Sequence, residues 1–161
     1  MCKEMSFEER SAINAYTLDA YANINASLRG LDSFSPVNKE RAVHIHSALQ
    51  QASIPCECVV YRGMSQKALG RFEKFSDHEL IGCHIREAGF MSTSLNKEDA
   101  FKGNILLEIS VPQGEKGAYV GYISGMGHSE NEVLFDAGRR YRITSVKYDL
   151  DGRRIVCATM Y

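Results

Sequence analysis

The hydrophobic residues of this chain change their period once, and that change constrains the fold more than any other feature. Up to about residue 53 they recur at helical spacing. Ser6-Phe7-Glu8-Glu9 reads as a capping box, with Ser6 as N-cap and Glu9 three residues on. Ile13, Tyr16, Ala20, Tyr21 and Ile24 carry the helical spacing forward, with Thr17 as the cap of a second short helix ending near Arg29-Gly30. Ser35-Pro36 opens a third helix through Val37, Ala42, Val43, His46 and Leu49, which stops before Ile54-Pro55. From residue 56 the texture is that of strands. Cys58 to Tyr61 and Ala88 to Ser94 are candidates, and Ile105, Leu107, Ile109 and Val111 alternate with Leu106, Glu108 and Ser110. Glu132 to Phe135, Tyr141 to Tyr148 and Arg154 to Thr159 complete the set, with turns at Ala137-Gly138 and Asp151-Gly152. Gln66 to Arg71 reads as a short helix, and Gly121 to Ser129 as a glycine-containing loop. Helices first and strands later predict an α+β fold, one domain over 1–161 with a helical part at about 6–53 and a strand-rich part at about 56–161.

A chain of 161 residues, 44% hydrophobic and 24% charged, suffices for a packed core and argues against disorder. No apolar run approaches the roughly 20 residues of a membrane span, and the opening MCKEMSFEER lacks the apolar stretch of a secretory signal, so a soluble domain is expected. With 19 basic against 20 acidic residues, no broad cationic surface is available to displace counterions from nucleic acid. Arg139, Arg140, Arg142, Arg153 and Arg154 are expected as solvated strand positions. Cys2, Cys56, Cys58, Cys83 and Cys157 form neither a disulfide framework nor a zinc spacing, which points to reduced thiols. His44 and His46 point away from each other on a helix, and no metal is expected.

Three islands put polar residues where a plain core strand would not. Tyr61-Arg62-Gly63 ends a strand with a guanidinium, whose rigid fork suits bidentate phosphate binding. Gly89-Phe90-Met91-Ser92-Thr93-Ser94 carries hydroxyls at Ser92 and Ser94. Glu130-Asn131-Glu132 leads into Val133-Leu134-Phe135 straight after the glycine loop. On a strand, residues two apart share a face at about 7 Å, so Glu130 and Glu132 are expected to present paired carboxylates. Such a pair serves glycosidic chemistry, one group stabilising an oxocarbenium-like sugar and the other taking a proton. E-x-E alone also occurs on solvated edges; the order of the three islands is the more specific signal.

In that order the chain resembles the R-S-E class of mono-ADP-ribosyltransferases, which includes bacterial toxins and effectors, phage enzymes and vertebrate ecto-enzymes. Tyr16-Thr17, Tyr21, Ile24-Asn25 and Leu28-Arg29 resemble the helical lead-in of the class. Val60-Tyr61-Arg62-Gly63 resembles its arginine strand, Phe90 to Ser94 its S-T-S strand, Ile109 to Gly114 with Gly117-Ala118-Tyr119 the run into the loop, and Glu130 to Phe135 its E-x-E strand. The resemblance implies helices packed on a mixed, mainly antiparallel β-sandwich, and NAD as the substrate. It implies that Arg62 holds the pyrophosphate, that Gly63 lets the backbone approach the nicotinamide, and that Ser92 orients Glu132. Thr93 and Ser94 would support the strand and the ribose, Glu132 would stabilise the developing charge, and Glu130 would activate the acceptor. Phe101, in the short segment after Ser94, is the candidate for an aromatic near nicotinamide. The E-x-E form favours arginine as acceptor, with threonine or another side chain open, and the setting implied is a monomeric secreted effector or toxin modifying a protein in a target cell's cytosol. Water as acceptor, giving an NAD glycohydrolase, and a non-catalytic NAD-binding module are the alternatives.

Overall fold

The computed structural model describes residues 4–123 and 131–161. Glu130 and most of the expected loop from Gly121 to Ser129 lie outside the described residues.

Helix α1 (Phe7–Ala15) begins as its sequence predicts: the Glu9 N–H donates to Ser6 Oγ at 3.1 Å and the Ser6 N–H to Glu9 Oε2 at 2.8 Å. Glu9 Oε1 also accepts from the Ser47 hydroxyl at 2.8 Å, so the capping residue ties this helix to α3 (Pro36–Gln50). Between α1 and α2 (Tyr21–Leu28) the chain does not restart at a cap. Tyr16–Ala20 forms a π-helical turn, and the Thr17 hydroxyl donates back to the Asn14 carbonyl at 2.9 Å. An ST residue's local bond to the preceding turn continued the helix instead of interrupting it. On α3 the buried stripe is Ala42, Ile45, Ala48 and Leu49, while Val37 and Val43 are exposed, so the apolar face is rotated from the expected one. His46 turns outward to Asp136, Nδ1 lying 2.9 Å from Oδ1.

The strands are β1 (Cys58–Met64), β2 (His84–Arg86), β3 (Met91–Ser94), β4 (Ile105–Val111), β5 (Gly117–Tyr119), β6 (Glu132–Phe135), β7 (Arg140–Tyr148) and β8 (Arg154–Met160). They join in the order β2-β7-β8-β4-β1-β3-β6-β5, antiparallel except for the β4–β8 pair. Gln66–Phe72 is a 3₁₀ segment, and β2 and the single-turn α4 (Asp77–Leu80) are too short for periodicity to announce them. Two cores lie on opposite faces of β3 and β6. One gathers Met91, Val133 and Phe135 with residues of β1, β4, β7 and β8, so that the sheet folds over itself. The other gathers Phe90 and Leu134 with Ile13, Tyr16, Ile24, Ile45 and Leu49 of the helices. This is the expected α+β arrangement of helices on a mixed, mainly antiparallel sheet.

The arginine cluster departs from expectation. Arg140 and Arg142 are exposed, but Arg154 Nε donates to Asp77 at 2.8 Å, Arg139 Nη1 lies 3.4 Å from Glu115, and Arg153 Nη2 donates to the Phe101 carbonyl at 3.1 Å. The hairpin turn before β8 brings Arg153 back against the sheet, a long-range outcome that local strand alternation does not encode. Among the described residues no helix is long and apolar enough to cross a membrane, and no group of three or more metal-ligating side chains gathers.

Candidate active site

The three islands are neighbours because β3 lies between β1 and β6, with Tyr61 opposite Ser94 and Ser94 opposite Glu132. Alternation on β3 sends Met91 and Thr93 into the sheet core and turns Ser92 toward the helices. The Ser92 hydroxyl donates to Glu132 Oε1 at 2.7 Å, a short charge-assisted bond to a carboxylate only 2% exposed. Arg62 Nη1 donates to the Ser92 carbonyl at 3.3 Å. Arg62, Gly63, Ser92, Phe101 and Glu132 line one cleft of about 390 Å³, closed on its other side by Tyr16, Thr17, Leu18, Tyr21 and Asn25. The π-helical turn thus forms a wall of this cleft, a frequent use of that irregularity. A separate cavity of about 330 Å³ between α1, α3 and β5 contains none of the predicted residues, and the chemistry of its lining gives no reason to prefer it.

Thr93 and Ser94 are placed differently from Ser92. Thr93 is buried, its hydroxyl donating to the Val133 carbonyl at 2.8 Å, so it fastens β3 to β6 and faces away from the cleft. Ser94 is 3% exposed, and its Oγ accepts the Asn96 N–H at 3.3 Å as the chain leaves the strand. Gly63 has a packing reason beyond any ligand: a Cβ there would stand 1.5 Å from the Phe101 carbonyl oxygen. The Phe101 backbone therefore crosses directly over β1, leaving its ring largely exposed at the cleft mouth.

β6 begins at Glu132, and Asn131 has φ 43°, the left-handed region, where an extended E-x-E strand would be continuous. Glu130, and with it the expected shared carboxylate face, lies outside the described residues.

The structure adds residues that the islands did not reveal as site residues. Asn25 makes a two-way amide pair with the backbone of Phe90: Nδ2 donates to its carbonyl at 3.2 Å and Oδ1 accepts its N–H at 3.0 Å. Nδ2 also reaches the Tyr16 hydroxyl at 2.9 Å, and the Tyr16 and Phe90 rings meet edge to face. A Cβ on Gly89 would lie 2.8 Å from Asn25 Oδ1, so glycine is the residue that admits this joint. Burial pushes the Tyr16 phenol up to about 12. Glu87 accepts a forked pair from Arg29, at 2.9 and 3.1 Å, lies 3.9 Å from Arg62, and also accepts the Gly89 N–H at 2.8 Å. One carboxylate thus holds two guanidinium groups at the edge of a larger basic groove of about 700 Å³, which also carries Lys67, Arg71 and Arg86. The aromatic and amide residues of the helices were visible in the sequence; their convergence on Phe90, two residues before Ser92, was not, because it spans 65 residues of chain.

A buried hydrogen-bonded carboxylate and an arginine, on strands either side of β3, thus meet in one cleft between sheet and helices. The sequence matches the ADP-ribosyltransferase exoenzyme family over residues 1–160, and the chain belongs to that family. It is 29% identical over 141 residues to the NAD(+)–protein-arginine ADP-ribosyltransferase Tre1 of Pseudomonas putida, covering 84% of this chain and 26% of that protein. It is 29% identical over 152 residues to the NAD(+)–arginine ADP-ribosyltransferase EFV of Enterococcus faecalis, covering 86% and 29%. The chain thus spans less than a third of the length of these curated relatives. Among solved structures it is similar to Plx2a, an ADP-ribosyltransferase toxin of Paenibacillus larvae, with TM-score 0.85, 26% identity, and 98% of this chain and 87% of that one covered.

Proposed function

We propose that this chain transfers ADP-ribose from NAD⁺ to an arginine side chain of a protein, acting as a toxin or secreted effector in another cell's cytosol. The observation that carries the reading is the Ser92–Glu132 bond of 2.7 Å at the floor of the cleft that Arg62 also lines. A carboxylate fixed this way is preorganised to stabilise positive charge that appears only as a glycosidic bond breaks, a contribution of roughly 3–4 kcal/mol for comparable preorganised groups. In the reaction the bond between the ribose carbon and nicotinamide breaks, and nicotinamide leaves with the bonding electrons. A guanidinium nitrogen of the acceptor forms the new bond to that carbon and loses one proton. Glu132 stabilises the cationic sugar, Ser92 orients Glu132, and Arg62, aligned by Glu87, meets the pyrophosphate. Phe101 covers the nicotinamide end. Thr93 and Ser94 act on the strand that carries Ser92 and not on the substrate directly. Glu130 takes the acceptor's proton, a role typically worth about 10²- to 10⁴-fold. The names of the two curated relatives, both of them arginine-modifying, support the acceptor.

The test is incubation of the protein with labelled NAD⁺ and a cell lysate, measuring released nicotinamide and protein-bound label side by side, with mass spectrometry of the labelled residue. Label on arginine is expected. In Glu130→Gln most protein labelling should vanish while a substantial share of slow NAD⁺ hydrolysis persists, because water in excess needs less activation than a side chain. Nicotinamide release with no label on any protein makes the chain a glycohydrolase instead.

A further inference from the structure

Segment 95–103 leaves the S-T-S strand, crosses β1 and delivers Phe101 to the cleft mouth, yet it contains only one 3₁₀ turn, Lys97–Asp99. Its position is set by bonds from elsewhere. At its far end the Phe101 backbone lies against Gly63, where no Cβ intervenes, and its carbonyl accepts from Arg153 Nη2 at 3.1 Å. At its near end the Leu95 N–H donates to the Asn131 carbonyl at 3.1 Å. The Asn131 side chain returns the contact: Nδ2 donates to Asp99 Oδ2 at 2.7 Å, and Asn96 Nδ2 donates to the same oxygen at 3.0 Å. These two amides hold the Asp99 carboxyl below the usual aspartate range, as expected where hydrogen bonds favour the charged form.

Asn131 is the residue between the two glutamates, and it alone among the described non-glycine residues has positive φ, at 43°. Asparagine tolerates that conformation better than most side chains, and its neighbour Glu132 opens β6. The amide that reaches Asp99 is therefore attached at the point that sets how the chain enters the strand bearing Glu132.

We propose that Asp99 and Asn131 form a latch that fixes the Phe101 segment against the head of β6, and so presents the NAD cleft in its binding form. Both are positioning residues: they act through Phe101 and Glu132. The inference rests on the reading that this cleft takes NAD⁺. With the latch open, the segment keeps its Gly63 and Arg153 contacts and the Leu95–Asn131 backbone bond but loses the side-chain tie at Asp99, so the cleft occupies the binding form for only part of the time. Apparent affinity falls in proportion to that fraction.

The test is calorimetric titration of NAD⁺ with nicotinamide-release kinetics on wild type, Asp99→Ala, Asn131→Gly and the double variant. Glycine at 131 accepts the left-handed backbone while deleting the amide, so it separates the latch from the turn. Each single variant should weaken NAD⁺ binding and raise KM about tenfold, with kcat changed less than about twofold and melting temperature nearly unchanged. The double variant should be no worse than Asp99→Ala, which already removes the bond that Asn131→Gly cuts. Asp99→Asn, which keeps an acceptor oxygen, should recover most of the affinity. A fall in kcat at unchanged KM, additive losses in the double variant, or wild-type affinity in Asp99→Ala overturns the latch. Failure of the transferase reading shows separately, in the wild type, as bound NAD⁺ and released nicotinamide without protein label.

Discussion

Strand β3 is held at its two ends by joints of opposite character. At its start, Phe90 is gripped by Asn25 in the buried interface between helices and sheet, with the Tyr16 phenol closing the network. At its exit, Asn96, Asp99 and Asn131 meet on one carboxylate oxygen at the partly exposed surface. Similar amide chemistry serves both, but the surroundings change what each bond is worth. In the buried joint every donor and acceptor lost is left without water, whereas at the exposed joint water replaces the missing partner. The first should set whether the protein stays folded, and the second where its cleft segment sits.

The largest effect expected from this contrast is on stability. Asn25→Ala strands the Phe90 N–H and carbonyl in the core and should cost about 3 kcal/mol, a drop of about 6–12 °C in melting temperature. Asp99→Ala should shift melting by about 2 °C or less while moving NAD⁺ affinity as set out above. Thermal denaturation of both variants under one set of conditions checks the pair; equal shifts would dissolve the distinction between the joints.

A smaller effect should appear at high pH. Burial raises Tyr16 and Tyr141 from the ordinary tyrosine value of 10.0 to about 12. The folded protein therefore keeps two protons that the unfolded chain sheds between about pH 10 and 12, and stability should fall as pH rises through that window and be indifferent below it. Each tyrosine contributes at most about 1.4 kcal/mol per pH unit there. Tyr16→Phe should make the slope of unfolding free energy against pH in that window shallower. An unchanged slope would mean that the phenol of the buried joint already meets solvent.

How far the sequence revealed this molecule differs in the same way between near and distant relations. The capping box at Ser6 and Glu9, the proline-initiated α3, the alternation of β4 and the hairpin before β8 are local, and the structure has them. The order of Arg62, Ser92 and Glu132 along the chain was legible as three islands, and β-pairing brought them together. Local signals misled at Thr17, whose hydroxyl bonds to its own helix, and they gave no sign of the left-handed backbone at Asn131 just before β6. Thr93, grouped with its hydroxyl neighbours in sequence, was separated from them by alternation alone. What stayed hidden was contact across long separations: Asn25 with Phe90, Arg153 with Phe101, Asp99 with Asn131. No spacing rule encodes these, because each depends on how finished elements pack.

The central claim is that Glu132, buried against Ser92, supplies the charge that lets the nicotinamide bond break. Glu132→Gln keeps the volume and a hydrogen-bonding oxygen for Ser92 while removing the negative charge. The decisive measurement is single-turnover nicotinamide release by this variant at saturating NAD⁺, with folding checked by thermal denaturation. A loss of about 10²-fold or more is expected, at near wild-type melting temperature and NAD⁺ affinity. Release within a few-fold of wild type would contradict it, and would mean that the bond breaks under the influence of some other charge.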